Sequence, residues 1–222
     1  MERPILFNTA MVRAILDGSK TQTRRIIKPQ PTNPRWNNIG WVGWDDGHGY
    51  RMKPPCHPGD ILWVRETWVF DSGDEDYGTG CFMYKADMPI HIDAKDTAHG
   101  DDVDITAEDY RWHPSIHMPK EAARIFLRVK DVRVERLQDI SVFDAINEGC
   151  CGTVCDHVNA DPALGCTDCY NTGWLEPPDA EFALLWDTTV KKADLPVYGW
   201  DANPWVWVIE FERCEKPKEG QA

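Results

Sequence analysis

The chain has 222 residues and lacks several things that would each have announced a class. It has no long apolar run. Stretches such as residues 205–209 are far too short to span a bilayer, so no membrane-spanning helix is expected. The opening Met-Glu-Arg-Pro-Ile-Leu-Phe has no basic segment followed by an apolar stretch, and no signal peptide is read there. A cytoplasmic location follows as an expectation. The eight cysteines then suit metal ligation or free thiols better than disulfides. No repeat, no sustained heptad and no regular βαβ alternation is present. That pattern favours an α+β fold built as a small mixed barrel over a doubly wound sheet.

Positive charge is also scarce. Lys and Arg number 24 against 37 Asp and Glu, for a formal net charge of -13. A chain this acidic should not coat nucleic acid or anionic membranes non-specifically. The deficit is uneven, however. Residues 71–109 carry twelve acids and only Lys85 and Lys95 as bases, and read as a solvated acidic insertion. Residues 1–30 carry six bases against Glu2 and Asp17.

What is present is a series of short elements. Residues 11–18 read as a helix stopped by Gly18. A basic, polar segment follows at 20–28, then a proline-rich loop at 29–58. Strands are expected at 61–68, 82–86, 125–137 (with a bulge or bend at Asp131) and 205–211. Helices are expected at 141–148, with Ser141 as N-cap, and from Pro178 through Trp186.

The segment Ile15-Leu16-Asp17-Gly18-Ser19-Lys20-Thr21-Gln22-Thr23-Arg24-Arg25 carries the most chemistry. Gly18 allows a sharp turn, after which Lys20 and Thr23 are placed to face one pocket. Arg24 and Arg25 add fixed positive charge, which disfavours the ammonium form of a neighbouring lysine. A neutral lysine can serve as base to a hydroxyl.

This segment, followed by Gly59-Asp60-Ile61-Leu62-Trp63-Val64-Arg65-Glu66-Thr67-Trp68, resembles the ASCH domain family. Arg3-Pro4-Ile5-Leu6-Phe7 and Pro114-Ser115-Ile116-His117-Met118-Pro119 are similar to its phage and prophage branch. The resemblance implies a single domain over residues 1–222, a PUA-like mixed β-barrel with short flanking helices. The acidic insertion and a second insertion at 150–174 lie outside it. An RNA or modified-nucleoside partner is implied too. Bacterial N4-acetylcytidine amidohydrolases of the family use a lysine, a threonine three residues on, and a glutamate on the helix after the long strand. Lys20, Thr23 and Glu148 match those positions, and the resemblance implies base, nucleophile and proton donor in that order. Arg24 or a backbone N–H would stabilise the oxyanion.

Arg24, Arg25, Arg65, Glu66, Trp68, Ser115 and His117 are candidate substrate-binding residues. Three other readings stay open. The same cleft can be a non-catalytic base-binding module, with some of the 11 tryptophans (Trp63, Trp68, Trp112 and Trp205 among them) stacking on bases. A ribonuclease, with Lys20, Arg24 and Arg25 holding a phosphate and His117 moving a proton, is a lower-ranked reading. A phage structural or morphogenetic protein, docking through its acidic stretch, is the third.

Cys151-x3-Cys155 and Cys166-x2-Cys169 form two pairs ten residues apart. Four thiolates on tight turns make a closed, structural zinc site with no position for a catalytic water. Cys169-Tyr170-Asn171-Thr172-Gly173 resembles half of a zinc knuckle. Cys150 is an alternative to Cys151, and His157 to Cys155. The metal would order a segment too rich in Gly and Pro to pack a core of its own. Oligomeric state is not legible.

Overall fold

A computed structural model describes residues 1–31, 33–37, 40–45, 53–72, 80–92, 102–154, 160–161, 165–166 and 174–217. In chain order the elements are β1 (Glu2–Leu6), α1 (Thr9–Asp17), β2 (Gln22–Ile26), β3 (Asn33–Asn37), β4 (Gly40–Asp45), β5 (Ile61–Arg65), β6 (Trp68–Asp71), β7 (Cys81–Tyr84), β8 (Ile90–Ile92), β9 (Val103–Ile105), β10 (Phe126–Arg136) and α2 (Val142–Asn147). There follow β11 (Thr153–Val154), β12 (Ala160–Asp161), β13 (Gly165–Cys166), β14 (Trp174–Glu176), α3 (Pro178–Thr189), α4 (Leu195–Tyr198) and β15 (Trp205–Cys214). The fold is mixed α+β. No helix of the described residues is long and apolar enough to cross a membrane.

The chain divides into two compact units. The first holds Met1–Gly18, Gly59–Arg128 and the chain from Glu212. Here β1 runs parallel to β5, from Glu2 opposite Ile61 to Leu6 opposite Arg65. The first residues of β10 pair antiparallel with β5, Phe126 opposite Trp63. α1 starts where Asn8 accepts a hydrogen bond from the Met11 N–H and ends at Gly18, whose φ of 87° is costly for any residue with a Cβ. It buries Val12 and Ile15. Met118, Ala122, Ala123 and Phe126 form a core, with Trp63, Trp68, Phe82 and Tyr84 packed against it.

The second unit holds Ser19–Pro58 and Val129–Phe211. β15 pairs antiparallel with β2, setting Val208 opposite Arg24 and Ile209 opposite Thr23. The rest of β10 lies on the other side of β15. Val206 to Ile209 are buried in succession, so both faces of β15 are covered there. Leu137, Ala145, Phe182, Trp186, Val206 and Val208 share one core. α2 opens with a full capping box, Ser141 and Asp144 each bonding the other's backbone N–H.

Several expectations change. Among the described residues β1 pairs only with β5 and β2 only with β15, so no ladder closes into a barrel. The expected 125–137 strand is β10, which runs through Asp131 as one element. The 61–68 stretch divides into β5 and β6, and 82–86 into β7 and a 3-10 turn over Lys85–Asp87. The 29–58 loop contains the β3–β4 hairpin, where the aromatic and β-branched residues of Trp36, Trp41, Val42 and Trp44 outweigh the prolines. The acidic stretch holds a short ladder of its own, β8 with β9. The largest change is at 20–26. The segment, read only as basic and polar, forms β2, and Lys20, Gln22, Thr23 and Arg24 are all buried.

Candidate functional site

Lys20 and, on β2, Gln22 and Arg24 are buried with charged partners in the same unit. Lys20 forms an isolated bridge with Glu148, just past the end of α2. Its Nζ donates to Glu148 Oε2 at 2.6 Å and to the Glu148 main-chain carbonyl at 2.8 Å. These residues stand 128 positions apart in sequence. Burial lowers the Lys20 pKa, Glu148 opposes that shift, and the Arg25 charge adds to it. Moving one proton from Nζ to Oε2 turns the ion pair into an amine and a carboxylic acid with no change of net charge. The pair therefore has a base and an acid within one hydrogen bond.

Glu148 Oε1 accepts from Arg24 Nη1 at 3.3 Å. Arg24 is gripped from further sides. Gln22 Oε1 lies 2.6 Å from Nη1, while Glu135 Oε2 at 3.2 Å and Asp144 Oδ2 at 3.6 Å face Nη2. Its Nε is buried and has no partner among the described residues. Asp144 is also bonded by Arg133, which reaches Glu135 and Glu210 as well. Burial pushes the Asp144 carboxyl up, but hydrogen bonds from Ser141 and Gln22 and the charge of Arg24 outweigh this and hold it below its ordinary value.

Thr23 is buried on β2, paired with Ile209. Among the described residues no hydrogen bond joins it to Lys20 or Glu148. Arg25 is half-buried and feels the Glu148 charge. Lys20, Arg24 and Glu148 are thus brought into contact, with Thr23 on the same strand as Arg24.

The remaining candidates, Trp205 apart, belong to the first unit. Arg65 donates to the carbonyls of Ile116 and Met118 and stacks at 5.6 Å over Trp63, which ties it to the turn carrying Ser115 and His117. His117 is exposed and Ser115 half-buried. Glu66 is buried, with both oxygens 3.0 Å from Arg124. Trp68 lies 5.2 Å from the His113 ring, and its Nε1 has no partner among the described residues. Trp112 bonds the Ala107 carbonyl, and Trp205 carries Arg136 at 4.2 Å.

Sequence reasoning missed Gln22, Glu135, Arg133, Arg124 and Asp87. Gln22 had a signal. Lys20-Thr21-Gln22-Thr23-Arg24 sets 22 and 24 on one strand face by simple alternation. Arg124 had none.

Of the expected zinc ligands, Cys155 and Cys169 lie outside the described residues, as does His157. For Cys166 only the backbone in β13 is described. Cys151 is exposed, and Glu181 Oε2 accepts from its N–H and from that of Gly152. Cys150 is buried, and burial together with Glu181 and Glu148 pushes its thiol up to about 12. Among the described residues no group of three or more His, Cys, Asp and Glu is set to hold a metal.

No family model, curated protein or solved structure matches the chain.

Proposed function

We propose that this chain is an ASCH-type protein that hydrolyses an acyl amide on a modified base such as N4-acetylcytidine, through Lys20, Thr23 and Glu148. The observation that carries the proposal is the buried 2.6 Å contact between Lys20 and Glu148. Two residues far apart in sequence, picked out by resemblance, meet in one buried hydrogen bond. In the reaction Thr23 Oγ attacks the acetyl carbonyl while neutral Lys20 takes the hydroxyl proton. Arg24 and Arg25 offset the charge on the tetrahedral oxygen. The C–N bond then breaks as the leaving amino group takes a proton from Glu148. Water releases acetate from the Thr23 ester and restores the hydroxyl.

The test is chromatography of N4-acetylcytidine incubated with the protein. Cytidine and acetate form with wild type and not with Lys20→Ala. Intact substrate at high protein concentration overturns the reaction.

A second reading, a non-catalytic module for RNA or a modified base, has one observation in its favour. Thr23 makes no hydrogen bond to Lys20 or Glu148 among the described residues. Catalytic contacts often tighten only when substrate binds, so the hydrolase stays first. Saturable nucleoside binding without turnover would reverse that order.

We further propose that Cys151, Cys155, Cys166 and Cys169 hold a structural zinc. The support is the spacing, together with two short antiparallel ladders in the same segment, β11 with β14 and β12 with β13. Elemental analysis of protein prepared without chelator should return about one zinc per chain. A value near zero overturns it.

A further inference from the structure

We propose that Gln22 is a positioning residue that orients Arg24 so that Nη1 meets Glu148 Oε1 and leaves Oε2 to Lys20. The consequence for turnover rests on the hydrolase reading; the positioning itself does not.

The distances decide which partner sets the guanidinium. Gln22 Oε1 stands 2.6 Å from Nη1, whereas Glu148, Glu135 and Asp144 stand at 3.3, 3.2 and 3.6 Å. Arg24 Nε has no partner among the described residues, so the hydrogen bonds of the guanidinium are all made at its Nη end, with the Phe182 ring 5.8 Å from its central carbon. Its roll is fixed at the Nη end, where the shortest bond is to Gln22. Gln22 is itself held. Its Nε2 donates to Asp144 Oδ1 at 3.1 Å and to Glu210 Oε1 at 3.3 Å. Those bonds tie it to α2, which leads into Glu148, and to β15, which pairs with β2.

Position 22 needs an amide for a chemical reason. The group must accept from a guanidinium and donate to two carboxylates at once. A carboxylate there would face Asp144 and Glu210 with like charge and compete with Glu148 for Arg24. An apolar side chain would remove one bond from each of the three: Arg24 Nη1 would keep only Glu148, and Asp144 Oδ1 and Glu210 Oε1 only Arg133. Arginine is also the group for which roll matters, because its donors lie in one rigid plane. Turning that plane moves Nη1 off Glu148 Oε1 and frees the carboxylate to rotate away from Lys20.

The test uses the full chain with 15N-labelled arginine. In wild type the Nη signals of Arg24 are expected to be separate, since rotation of a locked guanidinium is slow. In Gln22→Met they are expected to merge while the protein stays folded by circular dichroism. Separate Nη signals in the folded variant overturn the proposal. If Gln22→Met does not fold, Gln22→Asn keeps an amide in place but is one methylene too short to reach Arg24, and the same merging is expected. The second arm is hydrolysis of N4-acetylcytidine. kcat should fall on the order of 100-fold with little change in KM, the signature of misplaced reacting groups. Unchanged kcat in a variant with merged signals overturns the role. If wild type shows no hydrolysis, the hydrolase reading fails, and the Nη signals still decide the case of Gln22.

Discussion

Each unit of this molecule buries a glutamate, and the two are held in different ways. In the first unit Glu66 gives both oxygens to one guanidinium, that of Arg124. Arg124 spends its remaining donors on both oxygens of Asp87 and lies 3.9 Å over the Tyr84 ring. Burial pushes the Glu66 carboxyl up, and Arg124 pulls against it. No proton in that cluster has an easy place to go, since arginine does not give one up. In the second unit Glu148 divides its oxygens between Arg24 and Lys20. Lysine can lose a proton, and burial favours that loss. The first arrangement is a clasp that fastens three segments. The second is a clasp with one transferable proton. Burial of a charged pair is therefore not what marks a candidate site; the kind of cation is.

The comparison can be broken at each side. The largest effect is expected at Lys20. Lys20→Met should cut hydrolysis of N4-acetylcytidine by about 10²–10⁴-fold, measured at saturating substrate. A variant with full activity would reduce the Lys20–Glu148 pair to a clasp like the other.

Next comes Arg124→Met, which strands Glu66 in the interior. It should cost roughly 3–5 kcal/mol in urea denaturation. Arg124→Lys tests the geometry apart from the charge. A lysine cannot grip two carboxylates as a fork does, and a loss of roughly 1.5–3 kcal/mol is expected. Full stability in the lysine variant would show that charge alone suffices.

The acid side of the stability curve sharpens the second unit. The folded-state pKa of Asp144 lies below its ordinary 3.8. Its contribution is thus fully present above that value and is lost as pH falls through the lower folded value. Urea midpoints followed downward from pH 5 should show this loss, and Asp144→Asn should flatten it.

The smallest effect is chemical. With its buried thiol held near 12, Cys150 should resist iodoacetamide at pH 8 in the native state and react once the chain is unfolded. Mass spectrometry of native digests reads this directly. Rapid native labelling of Cys150 would mean that the core around it opens in the native state.

Legibility followed locality. The helix at Ser141 was readable because a cap and its partner sit three residues apart. Gly18 marked the end of α1 for the same kind of reason. The resemblance pointed to Lys20 and Glu148 one at a time, without showing that they touch. The β3–β4 hairpin was hidden by its prolines. β2 was hidden by its own polarity, because a strand whose charges are met by distant partners looks like a loop. The Arg124 cluster was invisible, since Glu66, Asp87 and Arg124 are scattered and carry no spacing.

What the sequence determined alone was the inventory. It set a mixed α+β chain, acids gathered at 71–109, bases gathered near the start, and a Lys-x-Gln-x-Arg alternation. Periodicity, caps and charge runs act over a few residues and survive in one dimension. What the tertiary structure decided was which charges meet. Whether Lys20 is a solvated surface cation or a desolvated partner of Glu148 depends on 128 residues of chain returning to the same place. Desolvation and Coulomb attraction act through space, and only folding sets those distances.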